Sequence, residues 1–159
     1  MEKEKLQEFA TRVTQANRSE LVVIIYEAAI ESIELGKSFL EGNSLPEARK
    51  EIDRARGLIE ELMCSLEMKY TISHYLRQLY IYAGSELCKG IALRQPELFD
   101  HALDIFKKML PAFQEVAKQD SSAPVMGNTQ QIYAGLTYGR GSLNETVAMD
   151  IDRSRGYEA

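Results

Sequence analysis

The sequence has only two cysteines, Cys64 and Cys88, among its 159 residues. Two are too few for a disulfide framework, and their separation does not form the CxxC pair of a metal knuckle. Both fall in stretches with helical periodicity, so they are predicted to be buried free thiols.

Long apolar runs and clusters of basic residues are also missing. The longest unbroken apolar run is residues 21–26, far short of the ~20 residues that a membrane span needs. The opening residues, MEKEKLQEFA, are polar and mixed in charge, unlike a signal segment. The formal net charge is −5 and the basic residues are spread along the chain, which argues against a nucleic-acid partner. We therefore expect a cytoplasmic protein with no membrane insertion.

The residue patterns of enzyme and cofactor sites are absent as well. A carboxylate-bridged dimetal bundle would need Glu-x-x-His on two helices, and neither His74 nor His101 has glutamate three positions earlier. Glu97 stands four before His101, which is more typical of a solvated helix face. No motif presents a histidine to Cys64, and no glycine-rich phosphate loop is present. We assign no enzyme activity, no metal and no cofactor.

What the sequence does contain is a series of helical patterns. Asn17 and Glu20 form a capping-box pattern that predicts a helix over about residues 18–40, ended by Gly42 and Asn43. Ser44 with Glu47 predicts a second capping box. The helix that follows has an apolar stripe at intervals of three and four, comprising Ala48, Ile52, Ala55, Ile59, Leu62 and Leu66.

The third predicted helix, about residues 70–93, has the widest apolar surface. One apolar stripe consists of Ile72, Leu76, Leu79, Ala83 and Leu87. Tyr75 and Tyr82 widen this stripe on one flank, and Tyr80 and Ile91 widen it on the other. This arc covers about half of the helix, whereas a helix on a single core usually shows an apolar stripe of roughly 100°. The helix is therefore either buried between several neighbours or keeps one side for a partner.

A fourth helix starts at Gln95–Pro96, and Pro111 inside it is predicted to bend it. Four helices with short connections predict an all-α fold, an antiparallel four-helix bundle over residues 18–119. An N-terminal arm (1–17) precedes the bundle. A C-terminal tail (120–159) follows it, with a composition that allows short extended pieces around Gly139–Gly141.

The tyrosines of the third helix, Tyr75, Tyr80 and Tyr82, combine a large apolar area with a hydroxyl group that tolerates water. Such residues are common in binding grooves, although each of them could instead pack in the core with its hydroxyl at the edge. As a set they favour a groove, whose natural occupant would be another amphipathic helix.

Two patterns resemble those of FliS-type flagellar export chaperones. The first helix reads AxxxELxxxxYExAI from Ala16 to Ile30, and the third reads LxxLYxYxxxxL from Leu76 to Leu87. With Ile59, Leu62 and Leu66 of the second helix, the resemblance covers roughly residues 13–117. The departures are Arg18 for a usual proline, Ser85 and Glu86 for a usual basic pair, and Phe113 for a usual tryptophan.

The resemblance implies a non-enzymatic protein that binds the C-terminal helical segment of flagellin in an apolar groove. It would prevent premature polymerisation and deliver flagellin to the export gate. The residues implied for the groove are Ile59, Leu62, Leu66, Tyr75, Leu79, Tyr80, Tyr82, Leu87 and Phe113. Leu6, Phe9 and Val13 of the arm could cover the empty groove or belong to a disordered terminus.

Two further hypotheses remain open from the sequence. The tail residues Ile132, Tyr133, Leu136 and Tyr138 could occupy the client groove, in cis or in a neighbouring protomer, or form a flap on the back of the bundle. Alternatively, the protein could be a self-associating structural bundle or adaptor whose wide third helix forms a homodimer seam.

Overall fold

The computed structural model describes residues 1–126, which form five helices joined by short connections. They are α1 (Lys3–Gln15), α2 (Arg18–Glu41), α3 (Leu45–Ser65), α4 (Thr71–Leu93) and α5 (Glu97–Gln119). Helices α2 to α5 form the predicted all-α bundle. Helix α2 packs on α3 and α5, and α4 packs on the same two helices, so α2 and α4 lie across the bundle from each other. The tail residues named above lie outside the described residues.

The core forms because each bundle helix turns one apolar stripe inward. Helix α2 is apolar on most of its circumference and is accordingly the most enclosed, with Tyr26, Ala29 and Ile33 fully buried. The other helices complete the core with Ala48, Ile52, Ala55, Ile59, Leu62, Leu76, Tyr80, Ala83, Leu87, Phe99, Ala102, Leu103 and Phe106.

The first predicted capping box is confirmed, and the second is wrong. The Asn17 side chain accepts from the Glu20 backbone N–H, and the Glu20 carboxylate accepts from the Asn17 N–H, both at 2.9 Å. At α3, the Ser44 hydroxyl instead donates to the Glu47 carboxylate at 2.6 Å. Asn43 adopts a left-handed conformation with φ 59°, and Ser44 then leaves the extended geometry that a capping side chain requires.

The prediction that both cysteines are buried is also wrong, since Cys64 and Cys88 are exposed. Cys88 follows the fully buried Leu87, but each residue on a helix is turned about 100° from the one before it. Membership in an amphipathic helix therefore does not assign a residue to its buried side.

Helix α5 runs through the exposed Pro111 as one element.

Candidate partner-binding site

Helix α4 has more apolar surface than the core covers. Its buried side includes Leu76, Tyr80 and Leu87. A second apolar stripe on the same helix faces solvent and consists of Ile72, Tyr75, Leu79 and Tyr82. Tyr75 is 61% exposed, whereas Tyr80 is 2% exposed. The three tyrosines thus divide between the exposed stripe and the core.

One polar contact shows which neighbour the exposed stripe borders. The Glu86 carboxylate of α4 lies 2.7 Å from Nδ1 of His101 on α5, so the Glu86 side of α4 faces α5. Residues four, seven, eleven and fourteen positions before Glu86 share this side of the helix. They are Tyr82, Leu79, Tyr75 and Ile72, so the exposed stripe follows the junction of α4 and α5.

The facing edge of α5 is also apolar. Counting forward from His101 by helical intervals gives Ile105, Met109 and Val116 on the same side of α5. Ile105 and Met109 are partly buried against the core, and Val116 is exposed. We call the surface formed by Ile72, Tyr75, Leu79, Tyr82, Ile105, Met109 and Val116 the α4–α5 groove.

One end of this groove is closed. Gly90 of α4 packs so tightly on Phe99 of α5 that a Cβ atom at position 90 would overlap the phenyl ring. The Glu86 carboxylate lies one turn earlier and also pairs with Lys89 at 3.0 Å. Its hydrogen bonds, first to His101 and then to Lys89, lower the pKa of Glu86. An ionised, almost fully buried carboxylate therefore ends the apolar stripe here.

The other end of the bundle contains a cavity of about 750 Å³ lined by all four bundle helices. We call it the end cavity. Its apolar lining is Val22, Leu62, Leu66, Leu76, Tyr80, Phe113 and Val116. Val116 belongs to both the end cavity and the α4–α5 groove, so the two apolar surfaces are continuous.

The rim of the end cavity is polar and is tied together by Asp120. The Asp120 carboxylate accepts from the hydroxyls of Ser122 and Ser19, which lowers its pKa to about 2. The Asn17 side chain donates to the Asp120 carbonyl oxygen at 3.1 Å. The end of α5 is therefore fixed to the start of α2 beside the cavity.

The floor of the end cavity includes the buried Tyr80, whose hydroxyl pairs with that of Tyr26 deeper in the core. The hydroxyls of Tyr26 and Tyr80 lie 2.6 Å apart, and burial is the main cause that raises the pKa of both groups. The Tyr26 ring also lies 4.8 Å from that of Phe113 and 5.0 Å from that of Phe106, between ring centroids. Tyr80 thus contributes to the site from within the core.

This pair gives a testable prediction. Tyr26→Phe leaves the Tyr80 hydroxyl without its partner in a poorly hydrated site, so the free energy of unfolding should fall by about 1–2 kcal/mol. Tyr80→Phe should cost a similar amount. In the double variant the loss should be clearly smaller than the sum, as measured by urea unfolding. Additive losses would show that the two hydroxyls do not depend on each other.

The family model for flagellar protein FliS matches residues 1–120. The chain belongs to the FliS family. The resemblance inferred from the sequence is thereby confirmed, and membership implies the role of a flagellar export chaperone. No curated protein shows significant similarity to the chain. The FliS match extends from α1 to the end of α5 and thus includes both walls of the α4–α5 groove.

In this FliS family member, the residues predicted for the groove separate into three groups. Tyr75, Leu79 and Tyr82 lie in the exposed stripe; Leu62, Leu66, Tyr80 and Phe113 line the end cavity; Ile59 and Leu87 are fully buried in the core. The prediction omits Val22, Ile105, Met109 and Val116. The contact between Glu86 and His101 reveals which edge of α5 borders the exposed stripe.

The N-terminal arm of the FliS region is helical and lies on α2. Arg12 of α1 pairs with Glu27 at 2.6 Å, and Lys5 pairs with Glu31 at 2.5 Å. Leu6 is exposed, while Phe9 and Val13 are partly buried. A second cavity, of about 660 Å³, lies between α1, α2 and α5. The structure thus places α1, which carries these three residues, against α2, the helix across the bundle from α4. Their covering of the client groove stays a prediction.

Residues 1–126 lack two kinds of structural feature. No helix in this part of the chain combines the length and apolar character needed to cross a membrane. Within the same residues, no group of three or more His, Cys, Asp or Glu side chains is arranged to hold a metal ion.

Proposed function

We propose that this FliS family member binds the C-terminal helical segment of flagellin in the α4–α5 groove. In the cytoplasm it would cover the apolar face of that segment, prevent premature polymerisation and deliver the subunit to the flagellar export gate. The observation that supports this most directly is the solvent-exposed stripe of Ile72, Tyr75, Leu79 and Tyr82 beside the apolar edge of α5.

The physical argument concerns surface that the fold leaves in water. Contiguous exposed apolar patches on soluble proteins commonly mark partner sites. Tyrosines that are apolar over most of their area and carry one hydroxyl group are frequent among the residues that dominate binding. Burying ~1,000 Å² of helix and groove would offset the ordering cost of a disordered client segment.

Titration of the full chain with a flagellin C-terminal peptide tests the proposal. We expect saturable binding with a negative heat-capacity change, because apolar surface is removed from water. The control is the same peptide with the apolar residues of its helical face replaced by serine, which should not bind. If the two peptides bind alike, or if neither binds, the proposal is wrong.

The same exposed stripe also supports a second candidate function, in which two copies of the chain associate through α4. Light scattering over a range of concentrations separates the two. A flagellin-binding chaperone should scatter as a monomer at low concentration. A dimer that Leu79→Asp dissociates would instead establish the homodimer seam.

A further inference from the structure

We infer that the end cavity is the anchor site of the client, taking one large apolar side chain from the end of a helix that lies in the α4–α5 groove. This inference rests on the proposed function and specifies which part of the client determines its position. It follows from the shape of the apolar surface, from the composition of the cavity and from the limits of the groove.

The groove is about as long as a short helix and is open at one end only. From Ile72 to Glu86 the stripe spans about four helical turns, or roughly 20 Å. At one end, the contact between Gly90 and Phe99 brings α4 and α5 together, and the buried Glu86 ends the apolar stripe. A helix lying along this stripe can therefore continue its apolar contacts only toward the opposite end, where the end cavity lies.

The α4–α5 groove is continuous with the end cavity. Val116 is 55% exposed on the α5 edge of the groove and also lines the end cavity. Leu76 and Tyr80, on the buried side of α4, form the adjoining inner wall. An apolar side chain that passes Val116 would thus leave the groove and enter a cavity lined by all four bundle helices.

The end cavity has the size and the apolar lining to hold one large apolar side chain. Its volume of about 750 Å³ falls in the range of sites that enclose a ligand group. The floor is aliphatic and aromatic, including Leu62 and Phe113, while the rim carries Arg18 and Asp120. Apolar pockets with polar rims are where the side chains that dominate binding usually insert. The chemistry selects leucine, methionine or phenylalanine over a charged side chain.

A variant that fills the cavity from the side away from the groove tests the inference. Val22 lies on α2, across the bundle from α4, so Val22→Phe should fill the end cavity and leave the exposed stripe unchanged. Its affinity for the flagellin C-terminal peptide should fall at least tenfold. Leu66 directly follows α3, so Leu66→Phe fills the cavity from another side and should also lower the affinity at least tenfold. The test therefore does not depend on the folding of a single variant.

An alanine scan of the apolar residues of the peptide supplies the decisive comparison. In the unsubstituted chain, one alanine near an end of the peptide helix should weaken binding at least tenfold. With the Val22→Phe variant, the same alanine substitution in the peptide should lower the affinity less than threefold, because the phenyl ring already keeps the anchoring side chain out of the end cavity. If the peptide binds the unsubstituted chain, but both filled variants bind equally well, the anchor site is wrong while the proposed function stands. Absence of binding to the unsubstituted chain would overturn both.

Discussion

Tyr82→Asp should weaken binding of the flagellin C-terminal peptide at least 100-fold. Tyr82 is 47% exposed and is the last apolar residue of the stripe, one turn before Glu86. Losing an apolar side chain from an interface costs about 1.5–3 kcal/mol, and burying a carboxylate there adds desolvation of roughly 1–3 kcal/mol. The two contributions together come to about 2.5–6 kcal/mol, and a value near the low end, about 3 kcal/mol, already corresponds to about a 100-fold change in Kd.

Ile81→Asp is the matched control for this prediction. Ile81 is the adjacent residue, is 48% exposed and is also apolar, but it lines a small cavity between α3 and α4. Its substitution should change the Kd less than threefold, and both variants should retain the circular dichroism spectrum of the unsubstituted chain. Equal losses in the two variants, or a loss confined to Ile81→Asp, would show that the client does not lie between α4 and α5.

The width of the apolar surface on α4 could be predicted from sequence, whereas its orientation could not. An apolar arc covering half of the helix already indicates excess surface. The sequence predicts a single stripe in which Ile72 and Leu79 stand with Leu76 and Leu87. In the structure the first two are exposed and the last two are buried. Packing against both α3 and α5 fixes the rotation of α4, and this depends on residues remote in sequence.

Glu86 shows why local patterns miss such an orientation. A glutamate on an amphipathic helix is normally assigned to the solvated side, yet this one is 4% exposed at the junction with α5. It is tolerated there because His101 and Lys89 pair with its carboxylate. His101 lies fifteen positions further along the chain, on another helix, so no helical periodicity predicts the contact.

The helix starts illustrate the same distinction at short range. The Asn17–Glu20 capping box depends on residues three apart and is predicted correctly. The Ser44–Glu47 pattern looks equivalent, but the left-handed Asn43 before it changes the backbone path. The docked α1 forms ion pairs with Glu27 and Glu31 of α2, which sequence spacing alone does not select.

Phe106→Ala should cause the largest loss of stability among the substitutions considered. Phe106 is fully buried, and its ring lies 5.0 Å from that of Tyr26 and 6.1 Å from that of Tyr80. Removing a ring from such a position forfeits its transfer free energy and leaves a cavity that four packed helices cannot easily close. The free energy of unfolding should fall by about 3–5 kcal/mol, as measured by urea denaturation with an unchanged m-value.

Val116→Ala on the same helix is the control for this effect, because Val116 is largely exposed and should cost less than about 0.5 kcal/mol. A loss below about 1 kcal/mol in Phe106→Ala would mean that the aromatic cluster does not anchor α5 to α2 and α4. The order of the two effects should be reversed when peptide affinity is measured instead of stability. Phe106→Ala should retain its peptide affinity once the unfolded fraction is subtracted, whereas Val116→Ala should lose affinity several-fold, because Val116 lies on the proposed client surface and Phe106 is buried.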